Sequence, residues 1–213
     1  MVRLAFVGAA LLSAAPAAAA ERGSARTQVF RADLRPVPHA AAADSGSDVT
    51  GRATLVLKGD ELRTVLTARG LSPNLPHAMH IHGTPQALNE CPSLGADANG
   101  DGLIDTVEGL PDYGPIDVSL TTSGGTSKEF SDALALDRFP VAKRSGVLTY
   151  NRRFTIPSEF AGSLGQLHIV VHGEDLNDNG EYDFGPGTSS LSGAVGSPVP
   201  LEAELPVACG TIE

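Results

Sequence analysis

The sequence predicts an all-β fold, a barrel or sandwich of about eight strands with long acidic loops. Three observations predict it. Apolar and polar residues alternate in runs of strand length, Val, Ile, Leu and Thr fill those runs, and 24 Gly and 15 Pro punctuate them. Alternation with period 2 turns one face of a strand toward a core and the other away from it. Many short strands with turn residues between them suit a closed or stacked sheet.

The runs follow in order. "TQVFRADLRP" (27–36) alternates and comes first, and "RATLVLKGDELRTVLTARG" (52–70) reads as two strands joined by a hairpin turn at Gly59-Asp60. "AMHIHG", "PIDVSLTTSGG", "LTYNRRFTIP", "QLHIVVHG" and "LEAELPVACG" supply the remaining five. "SKEFSDALALDRF" (127–139) is the best helical candidate, as a short helix or an ordered loop. "HAAAADSGSD" (39–48) is a small-residue loop in which His39 is expected to be solvated.

The chain opens with Met-Val-Arg, an apolar run from Leu4 to about Leu12, and small residues ending at Ala20, the pattern of a secretory signal with an A-x-A cleavage site. One domain over 21–213 is expected after cleavage, in the periplasm or outside the cell. No later run approaches the roughly 20 apolar residues of a transmembrane helix. Without Arg3 the mature chain holds 14 basic against 25 acidic side chains, which argues against nucleic acid or anionic lipid as partner. The sequence points to no protein partner. Two cysteines far apart, Cys91 and Cys209, read in an exported chain as one long-range disulfide.

Three of the six histidines fall within "PHAMHIHG" (76–83). On a strand His80 and His82 share one face, about 6 to 7 Å apart at Cα, while Met79 and Ile81 take the other. That suits two imidazoles on one metal, or two histidines with no ligand. His168 and His172 share a face of a second strand but lie about 13 Å apart along it, so one of them, not both, can join the same metal.

"DANGDGLIDTVE" (97–108) fits the calcium-loop pattern at every defined position. Asp97, Asn99, Asp101, the Leu103 carbonyl, Asp105 and Glu108 are the oxygen donors, and Gly102 permits the sharp turn. Pro92 before it, and Gly109 and Pro111 after it, argue for a calcium loop without the usual pair of helices. "DLNDNGEYD" (175–183) repeats the first part with Asp175, Asn177, Asn179, the Glu181 carbonyl and Asp183. Its twelfth position is Pro186, so no glutamate closes it, and it reads either as a weaker calcium site or as an Asx-rich turn.

Together these segments resemble the secreted copper/zinc superoxide dismutase family. "GLSPNLPHAMHIHG" is similar to its His-x-x-His-x-His segment, "HIVVHGEDL" to its Val-Val-His strand, and "VACGTI" to its Ala-Cys-Gly-x-Ile ending. The resemblance implies a Greek-key β-barrel, copper held by His80, His82 and His172, a structural role for His77 in hydrogen bonding backbone near the site, a Cys91–Cys209 bond, and superoxide as substrate. The departures are as specific. No histidine lies between His82 and His168, so the bridging histidine and the other zinc histidines have no counterpart, and a zinc site of the family type is not expected. Pro206 stands where the family has the arginine that guides superoxide. The expectation is that calcium takes over from zinc in ordering the long loop, and offsets its negative charge.

A second resemblance competes. "VFRADLRPVPHAAAADSGSDVTGRATLVL" (29–57), followed by "HIHG", is similar to the chordin-type (CHRD) domain, which implies a non-enzymatic interaction module. Three classes therefore stay open: a copper enzyme disproportionating superoxide, a copper- or calcium-binding protein without turnover, and a module without a transition metal.

Overall fold

The computed structural model describes residues 26–40, 48–84, 88 and 90–213. The expected signal segment and its cleavage site lie outside them. Eight antiparallel strands form one curled sheet: β1 (Thr27–Pro36), β2 (Thr50–Lys58), β3 (Glu61–Arg69), β4 (Met79–His82), β5 (Ile116–Ser119), β6 (Leu148–Thr155), β7 (His168–His172) and β8 (Pro206–Thr211). Their order across the sheet is β5-β4-β7-β8-β1-β2-β3-β6. β3 pairs with β6, while the β4-β5 hairpin that lies between them in sequence forms the other end of the sheet. The all-β expectation holds.

The two halves of the sheet differ in what covers them. β3 reads exposed and buried in strict alternation, so Leu62, Leu66 and Ala68 enter the core while Arg63 and Thr67 face solvent. β4, β7 and β8 are buried on both faces. Met79, Ile81, Ile169, Val171 and Val207 join Leu55, Leu62 and Leu148 in one core. The opposite face carries Val170 and Cys209, which pack with Val37, Ile104 and Tyr113 beneath the long loop that follows β4. Loops thus roof the half of the sheet that holds the histidines. A bond between Cys91 and Cys209, with Cα atoms 5.6 Å apart, staples that roof to β8.

The sheet's two edges, β5 and β6, meet through side chains. The Tyr150 hydroxyl on β6 donates to Thr121 O just beyond β5 at 3.1 Å, and Arg152 donates to the same carbonyl at 2.8 Å and to Gly124 O at 2.5 Å. At the β2-β3 hairpin Gly59 adopts φ +66°, the left-handed conformation that glycine accepts without a Cβ clash.

Among the described residues five short α-helices lie in the connections: α1 (Thr106–Tyr113), α2 (Phe130–Ala133), α3 (Ser158–Ser163), α4 (Ser192–Val195) and α5 (Leu201–Glu204). Within 127–139 the chain forms α2 and then a 3-10 turn at Leu136–Arg138. The run "LEAELPVACG" divides. Its first four residues form α5 after Pro200, whose φ of −58° suits a helix start, and the strand begins at Pro206. α1 forms despite Gly109 and Pro111 because Asp105 and Glu108 make a reciprocal capping box at its start. Among the described residues a 3-10 turn, Leu94–Ala96, rather than a helix precedes the acidic loop.

His39 is a correction to the sequence reading. It is 4% exposed rather than solvated. Its Nε2 donates to Pro206 O at 2.9 Å and its Nδ1 accepts the Ile104 N–H at 2.9 Å, so it joins the acidic loop to the start of β8. Small residues around it in sequence suggested an open loop, whereas its own two ring nitrogens satisfy two backbone groups that burial would otherwise leave unpaired.

Candidate metal centre

Three histidines converge on the roofed face. His80 and His82 project from β4 opposite Met79 and Ile81, as period-2 geometry requires, and His172 comes from the end of β7. The β4-β7 register pairs His82 with His168 and His80 with Val170, and one step on, His172 N donates to Ala78 O at 2.8 Å. The ring centroids lie 5.1 Å (His80–His172), 5.5 Å (His80–His82) and 5.7 Å (His82–His172) apart. One nitrogen of each ring lies within 4.8 Å of the other two. His168, at the start of β7, is buried but falls outside this group.

The rest of each ring is held by backbone. His80 Nε2 donates to Ala133 O at 2.9 Å, His82 Nδ1 to Gly114 O at 2.8 Å, and His172 Nδ1 to Glu204 O at 2.7 Å. A carbonyl only accepts, so each contact places the ring proton on that nitrogen and leaves a lone pair on the other. Those others, His80 Nδ1, His82 Nε2 and His172 Nε2, are buried and have no hydrogen-bond partner. Orphaned buried nitrogens are costly in an ordinary core. Three together, each with its tautomer fixed by a hydrogen bond to a backbone carbonyl, could hold a metal ion.

Electrostatics favours the ligating form. Burial first, and then the neighbouring rings, hold His80 well below the usual histidine range and His82 at about 3. Burial lowers His172 to about 4, against the opposing pull of the Glu204 carbonyl. All three rings are therefore neutral at physiological pH.

Access is narrow. His80, His82 and His172 are 2%, 0% and 2% exposed. A cavity of about 10 Å³ adjoins them, lined among others by His80, His172, Ile116, Leu134, Leu191 and Glu204. That is the size of one water-scale guest. Glu204 Oε1 accepts from Ser190 N at 3.0 Å while its Oε2, also buried, has no partner. Glu204 is a site residue that the sequence reading missed.

His77 lies behind the site. Its ring nitrogens are 3.0 Å from Ser72 O and 3.1 Å from His172 O, so it braces the end of β7 to the loop before β4. The Tyr182 hydroxyl approaches it at 3.4 Å and donates to Pro76 O at 3.0 Å.

The first acidic loop is wound on itself. Asp97 accepts from Gly100 N and Gly102 N, Asn99 from Asp101 N, and Asp101 from Leu103 N. Asp105 caps α1 by accepting from Glu108 N at 2.8 Å. The two Glu108 oxygens reach back across the loop to Ala98 N, Asn99 N and Asp105 N, each at 3.0 Å. In the second loop Asp175 accepts from Asn179 N and Gly180 N, Asn177 and Asn179 both donate side-chain N–H to Asp183, and Glu181 N donates to Asn179. α1 connects the first loop to the histidines, since the Thr106 hydroxyl donates to Glu204 O at 2.8 Å, the carbonyl that also receives His172. The chain matches no protein-family model and no curated protein.

Proposed function

We propose that this chain is an exported copper-binding protein, related in its site to the copper/zinc superoxide dismutases, with calcium ordering the loop over the copper. One observation carries the reading: three neutral, buried imidazoles, each with one unpartnered nitrogen, whose rings bring nitrogens within 4.8 Å of one another. Imidazole suits zinc, iron, nickel and copper, and among divalent first-row ions copper binds such donors most tightly. The resemblance of the His-x-His and Val-Val-His segments supports copper over zinc. The Cys91–Cys209 bond fits an oxidising compartment.

His80, His82 and His172 would hold the ion, and bound copper would supply one-electron chemistry. The chain's own residues hold the rings neutral, exclude bulk water and surround the site with acid. From Cys91 to Val118 there are six acidic side chains and no Lys or Arg. Such a rim repels an anion unless cations neutralise it. With Pro206 at the head of β8 and apolar residues over the histidines, superoxide turnover is slow or absent.

Titration with cupric ion, on protein purified without chelator or affinity histidines, gives one copper per chain. Superoxide disproportionation by the loaded protein then runs far below that of dismutases with a guiding arginine. No stoichiometric copper would overturn the reading and favour the chordin-type module. A turnover rate at the level of those enzymes would reject the binding-only part.

The calcium part has its own test. Calcium at 100 times its dissociation constant stabilises the fold by about 2.7 kcal/mol per site, by mass action. Glu108→Gln, which deletes one charge from the expected bidentate ligand, removes the share owed to the first loop. Melting curves with and without calcium measure it, and an equal calcium response in wild type and variant would count against the assignment.

A further inference from the structure

We infer that the loop 175–183 is a second calcium site, closed by Glu202 from outside the loop. The inference deepens the calcium part of the proposed function and does not depend on the metal at the histidines.

The sequence leaves this loop without a closing glutamate, because its twelfth position is Pro186. The chain supplies one by another route. After Gly187 it leaves on an excursion through α4 and returns at Leu201, where Thr188 bridges Pro200, Ser189 N donates to Val199 O at 2.8 Å, and Leu201 N donates to Gly187 O at 3.1 Å. Those contacts pinch the base of the excursion shut. Glu202 is thereby placed against the loop although it lies 19 residues beyond Asp183.

Its carboxylate repeats the contacts of Glu108. In the first loop Glu108 Oε1 accepts from the second-position N–H, Ala98, and Oε2 from the ninth-position N–H, Asp105, both at 3.0 Å. In the second, Glu202 Oε1 accepts from the second-position N–H, Leu176, at 2.9 Å, and Oε2 from the ninth-position N–H, Asp183, at 2.7 Å. The backbones agree as well. The sixth positions, Gly102 and Gly180, both have φ +87°, and the fourth positions, Gly100 and Asp178, have φ +75° and +56°. Asp178 is one of just two non-glycine residues at positive φ among the described residues, so the chain accepts a strained backbone to keep this shape.

A separate observation points to a cation. Glu174 is 4% exposed and its Oε2 has no hydrogen-bond partner. Its charged neighbours are Asp178, Asp175 and Glu202, the loop and its closing residue, and Glu174 N donates to Glu202 O at 2.9 Å. Asp175 and Glu202 are themselves 4% and 0% exposed. No Lys or Arg forms an ion pair with any of the four among the described residues. Buried carboxylates need a counter-charge, and a hard divalent cation bound by oxygen ligands supplies it.

Calorimetric titration of the full chain with calcium, after removal of bound metal, tests this. Wild type binds two calcium ions, Glu202→Gln binds one, and Glu108→Gln binds one. A wild type with a single site, lost in Glu108→Gln and kept in Glu202→Gln, would overturn the second site while leaving the first intact. A wild type with no site would overturn both. If Glu202→Gln does not fold, Glu202→Asp, which keeps the charge but withdraws it by one methylene, carries the test. Its second site weakens at least tenfold, and unchanged affinity would refute the role of Glu202.

Discussion

His82→Ala abolishes stoichiometric copper binding, whereas His168→Ala retains it. The two residues face each other in the β4-β7 register, and both are buried. Only His82 belongs to the group of nitrogens within 4.8 Å of one another. Removing an outer-shell partner of a metal ligand costs about 10- to 100-fold in affinity. Deleting one of three ligands should cost well over 100-fold. Cupric titration followed by visible absorption reads both variants, and equal loss in the two would show that the convergent trio is not the binding site.

The double variant Cys91→Ala, Cys209→Ala melts about 10 to 20 °C below wild type. The bond spans 118 residues, and in the chain-entropy model opening a loop of that length costs about 5 kcal/mol. For a chain of this size each kcal/mol moves the melting temperature by about 2 to 4 °C. Cys209 is 1% exposed and packs with Val170 and Tyr113, so the variant also loses packing where loop and sheet meet. Scanning calorimetry of the oxidised protein and the variant measures the difference. Matching melting temperatures would show that the roof holds without its staple.

The strands and the His80–His82 pair are legible in the sequence for the same reason, whereas the choice of His172 over His168 as the third comes from the family resemblance. Both depend on period-2 geometry along contiguous residues, which fixes the face of Met79, His80, Ile81 and His82 before any tertiary contact is known. What could not be read depends on groups brought together from far along the chain. The carbonyls of Ala133, Gly114 and Glu204, which set the histidine tautomers, are backbone atoms with no residue-type signal. Glu202 alternates with apolar neighbours in "LEAEL" and so reads as the outward face of a strand. Its role depends on the return of the chain at Leu201. His39 sits among alanines, and only its contacts with Pro206 and Ile104 show that it is buried. Asp105 and Glu108 read as calcium donors in the sequence, and Gly109 and Pro111 obscured the helix that their capping box starts at Thr106.

The sheet is curled rather than closed by a backbone ladder, and an open sheet has edges where a strand from another copy can add. Here one edge strand, β5, has only four residues, and Ser119 N already donates to Thr126 O. The other, β6, sends Tyr150 and Arg152 across the gap to occupy Thr121 and Gly124. Self-association by strand exchange is therefore resisted by a few side chains, and Arg152 contributes the most. A change there would uncover the edge of β6 and favour association between copies at high concentration.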